Sequence, residues 1–306
     1  MTADRDGGGG WSIATSAAPR ALGDLVSRDD FRGVVPAAAA AGMLAESGLD
    51  PLALMLDLVP LAAGGADPGI SGFHVGAVIE GERPPDAPIG ALYLGANMEF
   101  PGQALSLSTH AEQAALVNAW TAGERRLTAL AVSAAPCGYC RQFLSETTTG
   151  GALVVGLPGR AAAPLSDYLP AAFGPADLGV TTALLDPAER DLVLVEPSDD
   201  PVTLAALDAA RRSYAPYTGT HAGVAVATAA GAVYAGRYAE NAAYSPSMSP
   251  LQAALALAAL AGEQPGDVSR AVLVQTRGPA DQRAVTAAVL DAVCGAAPET
   301  RWAEPA

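Results

Sequence analysis

The sequence predicts an α/β sandwich built twice in one chain, behind a short helical segment. Three observations carry this. Apolar residues recur at helical spacing from about Ala21 to Ala63, and the period changes to alternation from Gly69 onward. From Phe73 to Glu146 the patterns run strand, strand, helix, strand, helix, the order of an α/β layer fold. Parts of that stretch then return: Gly72-Phe73-His74-Val75-Gly76 recurs as Gly219-Thr220-His221-Ala222-Gly223, and Gly90-Ala91-Leu92-Tyr93-Leu94-Gly95 as Gly231-Ala232-Val233-Tyr234-Ala235-Gly236.

Taken in order, residues 1–20 read as a disordered tail, because Met1 to Gly10 is polar and glycine-rich and lacks the basic start and apolar run of a secretory signal. Residues 21–66 form an N-terminal helical segment. Leu22, Leu25 and Val26 share a face, Val34 to Leu44 is alanine-rich, and Asp50 as N-cap with Pro51 at the first helical position opens a further helix. Residues 67–157 form the domain that carries chemistry. A strand holds Phe73, Val75, Ala77 and Val78, a proline-rich loop spans Glu80 to Pro88, and Ala91 to Leu94 is the hairpin partner. A helix from His110 to Arg125, a strand from Leu127 to Ala134, a helix from Cys137 to Glu146 and a strand from Ala152 to Leu157 complete it. Residues 158–190 are a linker expected to pack on the domains through Leu165, Tyr168, Leu169, Phe173 and Leu178.

Residues 191–306 are the second copy, and its differences are informative. His110-Ala111-Glu112-Gln113-Ala114-Ala115-Leu116 is matched by Ser249-Pro250-Leu251-Gln252-Ala253-Ala254-Leu255, so the histidine and the carboxylate are gone, and no cysteine pair follows in Val272 to Gln282. The copy is expected to have closed its pocket and to serve packing or dimerisation, which leaves one site per chain.

The 306 residues suit two modules. The net charge of −15 sets 32 acids against 17 bases, all of them Arg, and no basic stripe is present, which argues against a nucleic-acid partner and for a small uncharged substrate. The longest weakly polar run, Leu251 to Gly262, is roughly half of a membrane span, so no membrane partner and a cytoplasmic location are expected. Three cysteines do not make a disulfide framework, and Cys294 reads as a small buried apolar residue.

The chemistry lies in Thr109-His110-Ala111-Glu112-Gln113 and Ala135-Pro136-Cys137-Gly138-Tyr139-Cys140-Arg141. His110, Cys137 and Cys140 make three candidate ligands, the number with which catalytic zinc keeps a position for water. His74 and His221 stand at equivalent repeat positions and are set aside. A helix start favours ionised thiols. Zinc lowers the pKa of bound water from ~15.7 toward ~7, on the order of 10 kcal/mol at ~1.4 kcal/mol per unit. Glu112, in the same helical turn as His110, is free to move protons. Cys-x-x-Cys alone would suit redox chemistry or a structural zinc as well. The joint His-Ala-Glu and Pro-Cys-Gly-Tyr-Cys pattern is the signature of zinc deaminases.

At these residues the chain resembles cytidine deaminases, of the long homodimeric bacterial type. The likeness extends to Gly48-Leu49-Asp50 through Ala63, Ser71-Gly72-Phe73, Gly95-Ala96-Asn97-Met98-Glu99-Phe100, Leu157-Pro158-Gly159-Arg160, Asp167-Tyr168-Leu169-Pro170, Ala172-Phe173-Gly174-Pro175 and Ala239-Glu240-Asn241-Ala242-Ala243. The resemblance implies a three-layer α/β/α sandwich with a catalytic copy and a degenerate one, one Zn2+ per chain, and a homodimer in which Phe173 acts in a neighbouring subunit's site. The implied activity is hydrolytic deamination of cytidine and 2'-deoxycytidine to the uridines with release of ammonia, in pyrimidine salvage. Zinc hydroxide would attack C4, and Glu112 would shuttle the proton. Asn97 and Glu99 would bind the sugar hydroxyls and Phe73 would stack on the pyrimidine.

From the residues alone, Asn97 is also an ordinary turn-capping amide and Phe73 an ordinary core residue. In the second copy Phe73 becomes Thr220 and Asn97 becomes Tyr238, while Glu99 is kept as Glu240, so the repeat supports Glu99 least. Ala134-Ala135 and the length of the Glu80 to Pro88 loop depart from the resemblance and bear on pocket shape. The alternatives are a deaminase of a modified or antibiotic nucleoside and an inactive nucleoside-binding protein; the intact first copy argues against the latter.

Overall fold

The computed structural model describes Arg5–Asp6, Gly10–Trp11, residues 20–28 and residues 30–306. Most of the expected tail, residues 1–20, lies outside the described residues; within it Arg5–Asp6 and Gly10–Trp11 pair as a two-stranded ribbon. The chain forms two compact units. One runs to Met98 and includes Thr109–Ala172 and Leu260–Gly262; the other comprises Glu99–Ser108, Phe173–Ala259 and Glu263–Ala306.

In the first unit the helical segment becomes α1 (Arg20–Val26), α2 (Ala37–Ser47) and α3 (Pro51–Ala63). Gly48, at φ 68°, ends α2 in the left-handed conformation. Two residues on, Asp50 caps α3 by accepting the Ala53 N–H at 3.0 Å. Their apolar faces, with Leu22, Met43, Leu54, Met55 and Leu58, share a core with Val78, Leu92 and Leu94 of the sheet.

That sheet contains β1 (Val34–Val35), β2 (Gly76–Gly81), β3 (Leu92–Ala96), β4 (Leu127–Val132), β5 (Val154–Gly156) and β6 (Ala163–Pro164), in the order β1-β3-β2-β4-β5-β6. β2 and β3 form an antiparallel hairpin with Val78 opposite Leu94, and β4 and β5 run parallel. α4 (Ala111–Ala122) connects β3 to β4, α5 (Gly138–Ser145) follows β4, and a single turn, α6 (Leu165–Tyr168), follows β6.

Two boundaries differ from the periodicity. β2 starts at Gly76, because Val75 gives its N–H to the side chain of Asn97 at 2.8 Å instead of to a strand, and Phe73 is therefore in a loop. The proline-rich loop starts after Gly81, because Glu80 is fully buried; it accepts Arg83 at 2.6 and 3.0 Å and the Gly90 N–H at 2.9 Å, which pins the loop's two ends.

The layering follows from two glycines. Directly opposed residues of an antiparallel pair share a face, and neighbours along a strand do not. Gly76 stands opposite Ala96 and Gly95 opposite Ala77, so the two glycines lie on opposite faces of one hairpin. A Cβ at Gly76 would come within 2.3 Å of the Val59 carbonyl of α3, and one at Gly95 within 2.1 Å of the Ala115 nitrogen of α4. Helix backbone thus presses on each face, giving helix, sheet, helix.

The second unit repeats this. Its strands β7 (Leu192–Leu194), β8 (Ala222–Thr228), β9 (Val233–Arg237), β10 (Val268–Thr276) and β11 (Glu299–Pro305) lie in the order β9-β8-β10-β11-β7, with helices α7 (Pro201–Arg211), α8 (Pro250–Leu260) and α9 (Arg283–Cys294). Gly223 and Gly236 occupy the places of Gly76 and Gly95: added Cβ atoms would meet the Ala206 carbonyl of α7 at 2.4 Å and the Pro250 carbonyl of α8 at 2.1 Å. The repeat holds down to single bonds. Met98 and Thr109 exchange two backbone bonds, both 2.8 Å, as Ala239 and Met248 do at 3.2 and 2.8 Å. Among the described residues no single helix is long and apolar enough to cross a membrane.

Candidate metal centre

His110 is the N-cap of α4, with extended backbone (φ −89°, ψ 155°). Its carbonyl starts the helix by accepting from Ala114 at 3.0 Å, and its own N–H donates to the Gln113 side chain at 3.0 Å. Cys137 is likewise the N-cap of α5 (φ −71°, ψ 172°), and Cys140 lies in that helix's first turn. Two helix starts thus deliver three donors to one point. Nδ1 of His110 lies 3.4 Å from Sγ of Cys137 and 3.3 Å from Sγ of Cys140, and the sulfurs are 3.7 Å apart.

Zinc–sulfur bonds of ~2.3 Å and zinc–nitrogen bonds of ~2.0 Å in a tetrahedron require S···S near ~3.8 Å and S···N near ~3.5 Å. The cluster has those edges. Among the described residues it is the one group of His, Cys, Asp and Glu donors gathered in this way.

The protonation states support the same fit. Without a cation, hydrogen bonds from Cys140 and His110 hold the Cys137 thiol down at about 3, while the bond to Cys137, together with burial, pushes the Cys140 thiol far above its ordinary value. Burial also raises the Glu112 carboxyl, which is only 4 % exposed and faces the Cys140 thiol. Two thiols and a carboxyl cannot all ionise beside one another with no positive charge present; a divalent cation removes the conflict. The residues therefore fit zinc, and Glu112, in the first turn of α4, is left outside the donor set.

The remaining sequence-derived residues are placed as follows. Asn97 is buried; its Oδ1 accepts from Val75 N and its Nδ2 donates to the Phe73 carbonyl at 3.0 Å. Phe73 is 61 % exposed, in the loop that Asn97 holds. Glu99 is half-buried and belongs to the segment Glu99–Ser108 that groups with the second unit. His74 is exposed and outside the cluster.

Two residues were given no role by the sequence. Gln113 accepts the His110 N–H and so satisfies a donor at the helix start, a signal visible as a glutamine three positions after the cap. Arg141 bonds the Pro136 carbonyl at 2.7 Å and the Tyr168 carbonyl at 2.9 Å. Its adjacency to the second cysteine was the available clue.

In the second copy the same frame holds no donors. Ser249 and Gln252 bond reciprocally at 3.3 Å each, but Leu251, in the place of Glu112, is fully buried, as is Thr220 in the place of Phe73. Glu240, the counterpart of Glu99, accepts from Tyr217 N at 2.8 Å, from Thr218 N at 3.2 Å and from the Thr218 hydroxyl, and so caps a turn.

A His-Cys-Cys donor set on two helix starts, with a buried carboxyl group beside it that is not one of the donors and a three-layer α/β/α frame beneath, defines the class of zinc-dependent deaminases. Residues 53–156 and 165–287 each match a family described as "Cytidine and deoxycytidylate deaminase zinc-binding region". The chain is 46% identical over 265 residues to cytidine deaminases of Yersinia pestis (strain Pestoides F) and Yersinia pseudotuberculosis serotype O:1b (strain IP 31758), covering 87% of this chain and 87% of each relative. A solved cytidine deaminase from Mycobacterium tuberculosis is 34% identical and matches 40% of this chain and 96% of its own, with a TM-score of 0.35. The chain belongs to the cytidine deaminase family, and zinc is its cofactor.

Proposed function

We propose that the chain removes the exocyclic amine of cytidine and 2'-deoxycytidine by hydrolysis, giving the uridines and ammonia. The observation that carries this is Glu112: a carboxylate buried against a complete three-donor cluster without being one of the donors. His110, Cys137 and Cys140 hold zinc. When bound, the ion supplies a Lewis acid that makes water nucleophilic near neutral pH. Glu112 takes a proton from the attacking water and delivers it to N3 of the ring, then takes the proton of the new C4 hydroxyl and delivers it to the amine, which leaves as ammonia as C4 becomes a carbonyl; a general acid/base of this kind contributes typically ~10²–10⁴-fold.

Asn97 and Glu99 bind the sugar hydroxyls. Asn97 spends one donor and one acceptor on the loop backbone and retains a second N–H for a ligand. Phe73, whose exposed face is not used in the core, stacks on the pyrimidine. Residues 67–157 form the catalytic domain, 158–190 the linker, whose Ala163–Pro164 pairs with the first sheet, and 191–306 a non-catalytic copy; two separate family matches, over residues 53–156 and 165–287, support a duplicated frame. We read the active protein as a homodimer, cytoplasmic and serving pyrimidine salvage, with no nucleic-acid or membrane partner; the acidic chain without Lys supports an uncharged nucleoside over a phosphorylated substrate.

Ammonia release from cytidine, 2'-deoxycytidine, CMP and single-stranded DNA tests the reading. Turnover of the first two and little of the others is expected; a preference for CMP or DNA contradicts it.

A further inference from the structure

We infer that Arg141 is a positioning residue for Cys137, the solvent-facing donor of the cluster; the inference rests on the ligand set proposed above. Cys140 is fully buried and fixed by its place inside α5, whereas Cys137 is exposed and, as the N-cap, lies outside the helical geometry. Its sulfur nevertheless sits within 3.4 Å of Nδ1 of His110 and 3.7 Å of the Cys140 sulfur, so something else must hold its backbone.

Arg141 touches both peptide planes that meet at Cys137. Its main-chain N–H donates to the Cys137 carbonyl at 3.0 Å, and its Nε–H donates to the Pro136 carbonyl at 2.7 Å. Peptides are planar, so holding the plane before and the plane after a residue fixes its φ and ψ, and with them the direction of Cα–Cβ. One side-chain torsion then sets the sulfur.

The guanidinium is itself anchored. Nη1–H donates to the Tyr168 carbonyl at 2.9 Å, and the group lies 5.7 Å from the centre of the Tyr168 ring. Two donors set at a fixed angle reach two carbonyls from different segments, a task for arginine and not for the single ammonium of lysine. The Cys137 turn is in this way tied to α6, well along the chain. Arg211 supplies a comparison: in the second unit its Nε and Nη2 both donate to the Leu192 carbonyl, at 2.9 and 2.6 Å, with no donor cluster beside it.

The test follows zinc itself. In the purified zinc-loaded protein, R141M should release zinc to a chelator roughly 10–100-fold faster than the parent, the usual effect of losing a group that orients a ligand. In the cobalt-substituted protein R141M should weaken or shift the thiolate-to-metal absorption, with R141K in between. R211M, which removes an arginine–carbonyl contact in the second unit, should lower the melting temperature and leave zinc release unchanged. A parental release rate and cobalt spectrum in folded R141M overturn the inference; should R141M not fold, a parental rate in R141K does so. C137S separates the two layers of the argument. If C137S keeps the parental rate and spectrum, the ligand set is wrong; if C137S changes both and R141M changes neither, the ligand set stands and the role of Arg141 falls.

Discussion

Glu112 and Leu251 stand at the same position of the same repeat, each in the first turn of a helix whose cap residue donates its N–H to a side chain three residues on, His110 to Gln113 and Ser249 to Gln252. Each helix presses its backbone against a sheet glycine, Gly95 or Gly236. Around Glu112 the polar groups converge on one point, the three-donor cluster. In the second copy they are spent on one another: Glu240 caps a turn, Arg270 bridges Asp200 at 2.8 Å and Glu299 at 2.6 Å, and Arg277 and Arg283 lie over the Trp302 ring at 4.4 and 5.3 Å. The caps and the close-approach glycines are thus requirements of the fold, since both copies keep them. The cluster and its carboxylate are not requirements of the fold, since the second copy does without them and keeps the same frame.

Exchanging these two residues breaks the comparison most sharply. E112Q should cut turnover of cytidine by roughly 10²–10⁴-fold while zinc content by elemental analysis and melting temperature stay near parental, because only proton transfer is removed. L251A should do the reverse. Truncating a fully buried leucine costs about 2–5 kcal/mol, read as a lowered denaturant midpoint, with zinc content unchanged and turnover retained by the folded fraction.

The smallest effect concerns the ion pairs that occupy the second copy. Bonds from Arg270 and Thr203 hold the Asp200 carboxyl well below the usual carboxylate range, and Arg270 lowers Glu299 as well. A depressed folded-state pKa contributes stability above the unfolded value, near ~4, and loses it as pH falls through the folded value. Parent protein should therefore lose more stability than D200N between about pH 5 and pH 3. The difference should stay below about 1 kcal/mol, because the pair is partly exposed, and unfolding curves at the two pH values measure it.

Much of this was legible in the residues. Asp50-Pro51 marked the start of α3, the alternation found the β2 and β3 hairpin, and the duplicated glycine segments revealed the repeat. The three donors and Glu112 were legible because metal chemistry leaves few residue types to choose from. What stayed hidden depends on contacts distant in sequence. Phe73 continues the alternation of its strand, yet Asn97 takes the backbone bond that would have extended β2 to it. Nothing local shows that Glu99–Ser108 groups with the second unit, where Gln252 donates to the Leu107 carbonyl at 2.5 Å. Arg141 looked like one surface base among 17 until its two carbonyl partners were seen.

The central claim, that one of two similar copies holds the metal and the activity, is tested most directly by zinc stoichiometry and cytidine turnover measured on the same samples of parent and C140S. The account predicts one zinc per chain in the parent, and loss of both zinc and ammonia release in folded C140S. Two zinc ions per parental chain, or zinc and turnover that survive C140S, would contradict it.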